Sequence, residues 1–195
     1  MKPRQNPLRV ERLESLAFRP QGASWPELLV RLEGLGFRAA VVGPDGTGKT
    51  AFLDDLARRL PLLGLRPIRL RLDPGERAAA RHELRAVLER AQANEVVLLD
   101  GADHASRWEW MRLRRAARRA RGLVVTSHRL GLLPTLLETR TSVALLAELL
   151  DELAPAHAAR LEPLLEEVLL RHRGNVRTSL LELFDRVAAL DPPTR

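Results

Sequence analysis

Eight residues, GPDGTGKT from Gly43 to Thr50, constrain this chain more than any other stretch. They fit the pattern G-x-x-x-x-G-K-[ST], the spacing of a phosphate-binding loop. Four small apolar residues, Ala39, Ala40, Val41 and Val42, run into the loop, and an amphipathic segment from Ala51 to Leu60 runs out of it. A buried strand on one side and a helix N-terminus on the other is the context that the mechanism requires. Gly43, Gly46 and Gly48 free the backbone to turn successive N–H groups inward. The dipole of the following helix adds partial positive charge at the same point. Gly43, Asp45, Gly46, Thr47, Gly48, Lys49, Thr50 and Ala51 are therefore the candidate nucleotide cradle. Lys49 suits the β- and γ-phosphates, and the Thr50 hydroxyl suits Mg²⁺. The only other lysine is Lys2, although Lys and Arg together number 32. An ammonium at this position reads as the compact point charge that a phosphate site asks for.

The rest of the composition bounds what surrounds such a loop. The 195 residues suffice for one α/β domain with a small appendage, and 45% of them are apolar. Cysteine is absent, which excludes disulfides and thiolate metal sites. The five histidines are scattered without ligand spacing. No apolar run approaches the ~20 residues of a membrane span. The first residues, MKPRQNPLRVERLES, lack the apolar core of a secretory signal, so a cytoplasmic location is expected. The net charge of +7 permits a nucleic-acid or acidic protein partner.

Along the chain, residues 1–23 are mixed and polar and read as an extended arm. Ser24-Trp25-Pro26-Glu27 forms a capping box before Leu28, Leu29, Leu32 and Leu35, and Gly34 and Gly36 close that helix. Arg38 to Val42 is the first strand. Ile68, Leu70 and Leu72 alternate with Arg69 and Arg71, which predicts an edge strand or one with a wet face, and Asp73-Pro74-Gly75 closes it. Ala80, Leu84, Val87, Leu88 and Ala91 mark a helix. Val96 to Leu99 and Leu123 to Val125 are continuous apolar runs, the mark of strands covered on both faces. Leu132, Leu133, Leu136 and Leu137 suggest a short helical piece, and Ser142 to Leu146 a fifth strand. From Ala147 onward the pattern is helical only, and Asn175 is placed to cap the last helix. Alternation of strands and helices predicts a parallel sheet with helices on both faces. The expected organisation is an arm at 1–23, an α/β core at 24–146 and a helical lid at 147–195.

EVVLLD, Glu95 to Asp100, is the second chemical signal. An aspartate at the C-terminal tip of a buried strand is where a Mg²⁺-organising carboxylate belongs, at the edge where open α/β sheets bind ligands. Thr50 and Asp100 are thus the expected metal residues. With these two motifs the chain resembles the AAA-type ATPases, P-loop NTPases that carry an extra central strand. GPDGTGKT is similar to their Walker A motif and VVLLD to their Walker B motif. The resemblance implies a five-stranded parallel sheet of order 5-1-4-3-2, with ATP and Mg²⁺ as cofactors. It implies that Thr126, at the end of the strand closing in Thr126-Ser127, is a polar sensor of the γ-phosphate. It implies that Arg140, taken to lie just before the fifth strand, is an arginine finger for a neighbouring subunit of a homo-oligomer. Gly174-Asn175-Val176-Arg177 resembles the sensor-2 motif, whose arginine reaches the γ-phosphate from the lid. One position departs from the family. The glutamate that polarises the attacking water usually follows the Walker B aspartate, and here Gly101 stands there. Asp103 or Glu95 is left as the substitute base, and slow hydrolysis or a nucleotide-dependent switch becomes the expectation.

WEWMRLRRAARRARG lies in a predicted helix over 105–121. At ~100° per residue, Leu113, Ala116, Ala117 and Ala120 share one face. Arg107, Arg112, Arg114, Arg115, Arg118 and Arg119 share the other with Trp108 and Met111. That face reads either as solvated or as a surface for a protein or nucleic-acid partner. Three functions remain: an ATPase or ATP-gated switch acting on a macromolecule, a small-molecule or nucleotide kinase, and a non-hydrolysing nucleotide-binding module. No N-K-x-D motif reads guanine, and no LSGGQ-like signature marks an ABC-type ATPase.

Overall fold

The computed structural model describes residues 16–73 and 78–190. Most of the expected arm, the turn at Pro74-Gly75 and residues 191–195 lie outside the described residues. The chain divides into two compact units. One holds Phe18–Gly43 and Lys49–Thr139; the other holds Pro44–Gly48 and the residues from Arg140 on.

The first unit is a five-stranded parallel sheet with helices on both faces. Its strands are β1 (Arg38–Val42), β2 (Arg66–Arg71), β3 (Glu95–Asp100), β4 (Gly122–Ser127) and β5 (Thr135–Glu138), in the order β2-β3-β4-β1-β5. Read from the other edge this is 5-1-4-3-2, the order of the P-loop NTPases that the motifs imply. β3 and β4 are buried along their whole length, as continuous apolar runs require. β2 lies at an edge and shows alternating exposure, so its arginines stay in water.

Alternate residues of the central strands feed two cores. Ala39, Val41, Val96, Leu98 and Val124 pack with Leu28 and Leu32 of α1 (Trp25–Gly34) and with Phe52, Leu53 and Leu56 of α2 (Lys49–Arg59). Ala40, Val42, Val97, Leu99 and Val125 pack with Leu84 and Leu88 of α3 (Ala78–Arg90) and with Trp110, Leu113 and Ala116 of α4 (Arg107–Ala116). α1 starts at the expected capping box, Ser24 Oγ accepting from Glu27 N–H and the Glu27 carboxylate from Ser24 N–H. Ser106 and Glu109 repeat the device at α4. α4 ends at Ala116 and continues as a single 3₁₀ turn, Ala117–Arg119, short of the expected Arg121. Arg38 terminates it, its guanidinium donating to the carbonyls of Ala117, Arg118 and Ala120 at 3.2, 3.4 and 3.0 Å.

The expected fifth strand requires a correction. Ser142–Leu146 is not a strand: Ser142 caps α5 (Val143–Leu153), its side chain accepting from Leu145 N–H at 3.1 Å. The fifth strand is Thr135–Glu138, where Leu136 and Leu137 suggested a helix. It pairs with β1 through a register shift between Ala40 and Val41. Arg140 therefore follows the fifth strand and does not precede it, and residue 147 lies inside α5.

The second unit is helical from α5 on, with α6 (Pro155–Leu161), α7 (Leu165–Arg171) and α8 (Val176–Leu190). Leu146, Leu150, Leu161, Val168, Leu180 and Leu183 form its own core. Among the described residues no helix is long and apolar enough to cross a membrane.

Candidate functional site

β1 delivers Gly43 to the C-terminal edge of the sheet, and α2 begins six residues later at Lys49. Gly43 N–H still belongs to the sheet and bonds the Ser127 carbonyl at 3.1 Å. Beyond it the chain needs the left-handed region: Gly46 and Gly48 have φ of 71° and 91°. Only glycine adopts these values without strain. Thr47 is buried and closes the loop on itself, its hydroxyl donating to the Pro44 carbonyl at 2.8 Å. Lys49 Nζ donates to the Gly43 carbonyl at 2.7 Å, which holds the ammonium beside the first residue of the loop.

Asp100 closes β3 and is 7% exposed. Both its oxygens are held by hydroxyls. Thr50 Oγ1, in the first turn of α2, donates to Oδ2 at 2.8 Å, and Thr126 Oγ1, near the end of β4, donates to Oδ1 at 2.5 Å. Thr126 in turn accepts the Gly101 N–H at 2.8 Å. The three residues come from three different elements and meet because β1, β4 and β3 are neighbours in the sheet. Two hydroxyls and a carboxylate are hard oxygen donors, and Thr50 with Asp100 fit a Mg²⁺ ion by donor chemistry. Among the described residues no cluster of three or more His, Cys, Asp or Glu side chains could hold a metal by itself. A cation here would draw its remaining ligands from phosphate and water, the habit of Mg²⁺ in nucleotide sites.

The turn after Asp100 leaves no room for a side chain at Gly101. Gly101 has φ 77°, and a Cβ there would stand 2.5 Å from the Leu72 carbonyl oxygen and 2.8 Å from His104 Cδ2. The main chain excludes any side chain at that place. A carboxylate does appear two residues on. Asp103 Oδ2 lies 2.6 Å from His128 Nδ1, and its Oδ1 is buried with no hydrogen-bond partner among the described residues. Burial pushes the Asp103 carboxyl up; the His128 hydrogen bond and the N–H groups of Asp103 and His128 pull it down by more. The carboxyl therefore lies below the usual aspartate range. His128 follows Ser127, whose carbonyl accepts from Gly43, so the pair stands at the sheet edge where the loop begins. The sequence offers Asp103 without its partner, since 25 residues separate the two. Glu95, the other substitute base, is at the opposite end of β3 and caps Gln92 N–H at 2.7 Å. That placement removes it from the site.

In the helical unit the loop meets the motif Gly174-Asn175-Val176-Arg177. Val176 N–H donates to the Gly46 carbonyl at 3.2 Å. The Asn175 side chain packs so tightly on Gly46 that an added Cβ would fall 1.9 Å from its Oδ1. Asn175 Oδ1 accepts from Thr178 N–H at 3.1 Å, the capping role expected of it. Arg177 is exposed at the second position of α8, and Arg140 is exposed two residues after β5.

Sheet order and glycine loop together define the class, the α/β fold of P-loop NTPases. Among solved structures the chain is similar to two variants of RuvB from Thermotoga maritima. Each has a TM-score of 0.53 and 18% identity, and the match covers 84% of this chain and 60% of that one. RuvB is an AAA-type P-loop ATPase, and at this identity the likeness is one of fold. No protein-family model matches the chain, and no curated protein does.

Proposed function

We propose that the protein binds ATP with Mg²⁺ and acts as an AAA-type nucleotide switch on a macromolecular partner, with slow hydrolysis. The observation that supports it best is the bonded set Thr50, Asp100 and Thr126 beside the lysine of the loop. In this reading the loop amides and Lys49 hold the phosphates, and Thr50 and Asp100 hold the Mg²⁺ that offsets their charge. Thr126 fixes the rotamer of Asp100. Arg177 reaches the γ-phosphate from a lid formed by the helices after Thr139, and Arg140 serves a neighbouring copy. The contact of Asn175 and Val176 with Gly46 supports the Arg177 assignment, because it sets the start of α8 against the loop. Slow hydrolysis rests on Gly101, which leaves Asp103, oriented by His128, as the nearest carboxylate in sequence for the attacking water.

Titration calorimetry with ATP and ADP, with and without Mg²⁺, tests the reading. Lys49→Ala should weaken both nucleotides at least tenfold, since it removes charge-assisted bonds worth ~1.5–3 kcal/mol each. Asp100→Asn should abolish the Mg²⁺ enhancement and leave metal-free binding intact. Arg177→Ala should weaken ATP and spare ADP. Unchanged affinities in the lysine variant would end the nucleotide assignment, and equal effects on ATP and ADP would end the Arg177 role.

A further inference from the structure

Arginine is spread over the chain, but it is not everywhere used alike. Several are matched to acid: Arg58 and Arg59 to Asp55, Arg66 to Glu95, Arg69 to Asp54, Arg85 to Glu89, Arg186 to Glu182. On α4 and its 3₁₀ extension the matching stops. Arg107, Arg112, Arg114, Arg115, Arg118 and Arg119 are all exposed. Among the described residues no ion pair ties any of them to a carboxylate. The one acid of the helix, Glu109, caps Ser106 N–H. Residues 105–121 hold seven arginines and one glutamate, a local charge of +6 in a chain whose total is +7. Like charges crowd here: Arg38 is pulled below its ordinary value by burial and then by the charges of Arg114 and Arg121.

The exposed positions fall into rows. Trp108, Arg112 and Arg115 follow one another on α4 at helical spacings of four and three, and Arg119 follows in the 3₁₀ turn. Trp108 is 72% exposed and Met111 is 55% exposed, while Trp110 on the opposite face is 8% exposed. At ~1.5 Å rise per residue in α4 and ~2.0 Å in the 3₁₀ turn, Arg112 to Arg119 spans about 12 Å. A solvated helix gains nothing from a wet indole heading a row of guanidinium groups. A strand of phosphates with unstacked bases gains from both, since guanidinium forks onto phosphate oxygens and any base can stack on an exposed aromatic.

We infer that the exposed face of α4 and its 3₁₀ extension is a binding surface for single-stranded nucleic acid, with Arg112, Arg115 and Arg119 on consecutive phosphates and Trp108 stacked on a base. A duplex buries its bases and leaves Trp108 idle, so the exposed indole beside the guanidinium groups favours single strands over duplex; an acidic protein, which could also cover the indole, is the alternative that the test separates.

Fluorescence anisotropy with a labelled 20-nucleotide single-stranded DNA, the matching RNA and the DNA duplex tests this. Nucleotide is left out, so the outcome is independent of whether the loop binds ATP. Both single strands should bind, with log affinity falling linearly against log salt. Replacing Arg112, Arg115 and Arg119 together by glutamine should reduce that slope by about 2, at ~0.7 per phosphate on single strands. Trp108→Ala should weaken single strands roughly tenfold and leave the slope unchanged. All four residues are exposed, so the variants should melt as the parent does. Three results overturn the inference: no binding of either strand at 50 mM salt, duplex bound more tightly with Trp108→Ala neutral, or polyglutamate bound as well as the oligonucleotides. The last would make the surface one for an acidic protein.

Discussion

Thr126→Val probes the centre of the site without altering its shape. The hydroxyl lies in a residue 1% exposed, gives its proton to Asp100 Oδ1 at 2.5 Å and receives the Gly101 N–H at 2.8 Å. Valine is nearly isosteric, so no cavity opens, and only the two hydrogen bonds are lost. A bond to a charged group contributes ~1.5–3 kcal/mol, and a buried N–H left without an acceptor costs ~1–3 kcal/mol. Because Thr50 still holds Oδ2, the sum of ~2.5–6 kcal/mol is taken in its lower half, about 3–4 kcal/mol. Thr126→Ser keeps both bonds and loses one methyl, about 0.8 kcal/mol. With a urea dependence of ~2 kcal/mol/M, the valine variant should unfold about 1.5–2 M earlier than the parent, and the serine variant less than 0.5 M earlier. Tryptophan fluorescence is the apt signal, since Trp25, Trp108 and Trp110 all belong to the sheet unit. Equal midpoints for the two variants would refute the claim that the hydroxyl clamps Asp100.

Two further outcomes follow from the same edge of the sheet. Gly101→Ala should destabilise the sheet unit by roughly 2–3 kcal/mol, from left-handed strain and contact with the Leu72 carbonyl, and Gly101→Glu should raise no ATP turnover; a stable glutamate variant with faster turnover would contradict the geometry. Asp103 contributes stability that is present above its unfolded value of about 4 and is lost as pH falls through its lower folded value; Asp103→Asn should therefore flatten the acid side of the melting-temperature profile below about pH 4, and an unchanged profile would deny the His128 pairing.

The sequence made β1, β3 and β4 readable because their burial is a property of the residues themselves. It made the loop readable because the glycines answer to local φ values. β5 was obscured by competition. Leu132, Leu133, Leu136 and Leu137 have helical spacing, yet Leu136 is the one of the four that is fully buried, and a four-residue edge strand is specified by pairing with β1 more than by pattern. The opposite error at Ser142 had a remedy in view: a capping serine followed by Leu145, Leu146, Leu149, Leu150 and Leu153 is one helical stripe, all of it buried. The Asp103–His128 pair depends on two turns meeting at neighbouring strand ends, information carried by topology and by no local pattern. The arginine face was visible as a stripe. Its lack of counter-charge is a tertiary fact, since it depends on where every acid of the described fold has gone.

The left-handed turn at Gly101 also bears on which side chains this edge of the sheet accepts. A surface position usually accepts a new side chain by a single change, because the backbone leaves room for it. Here the place itself is gone: the Leu72 carbonyl and the His104 ring occupy it. Placing a glutamate there would require the ends of β2 and β3 to move together. The turn therefore holds this position to a bare main chain, and any carboxylate chemistry at this edge falls to side chains further along.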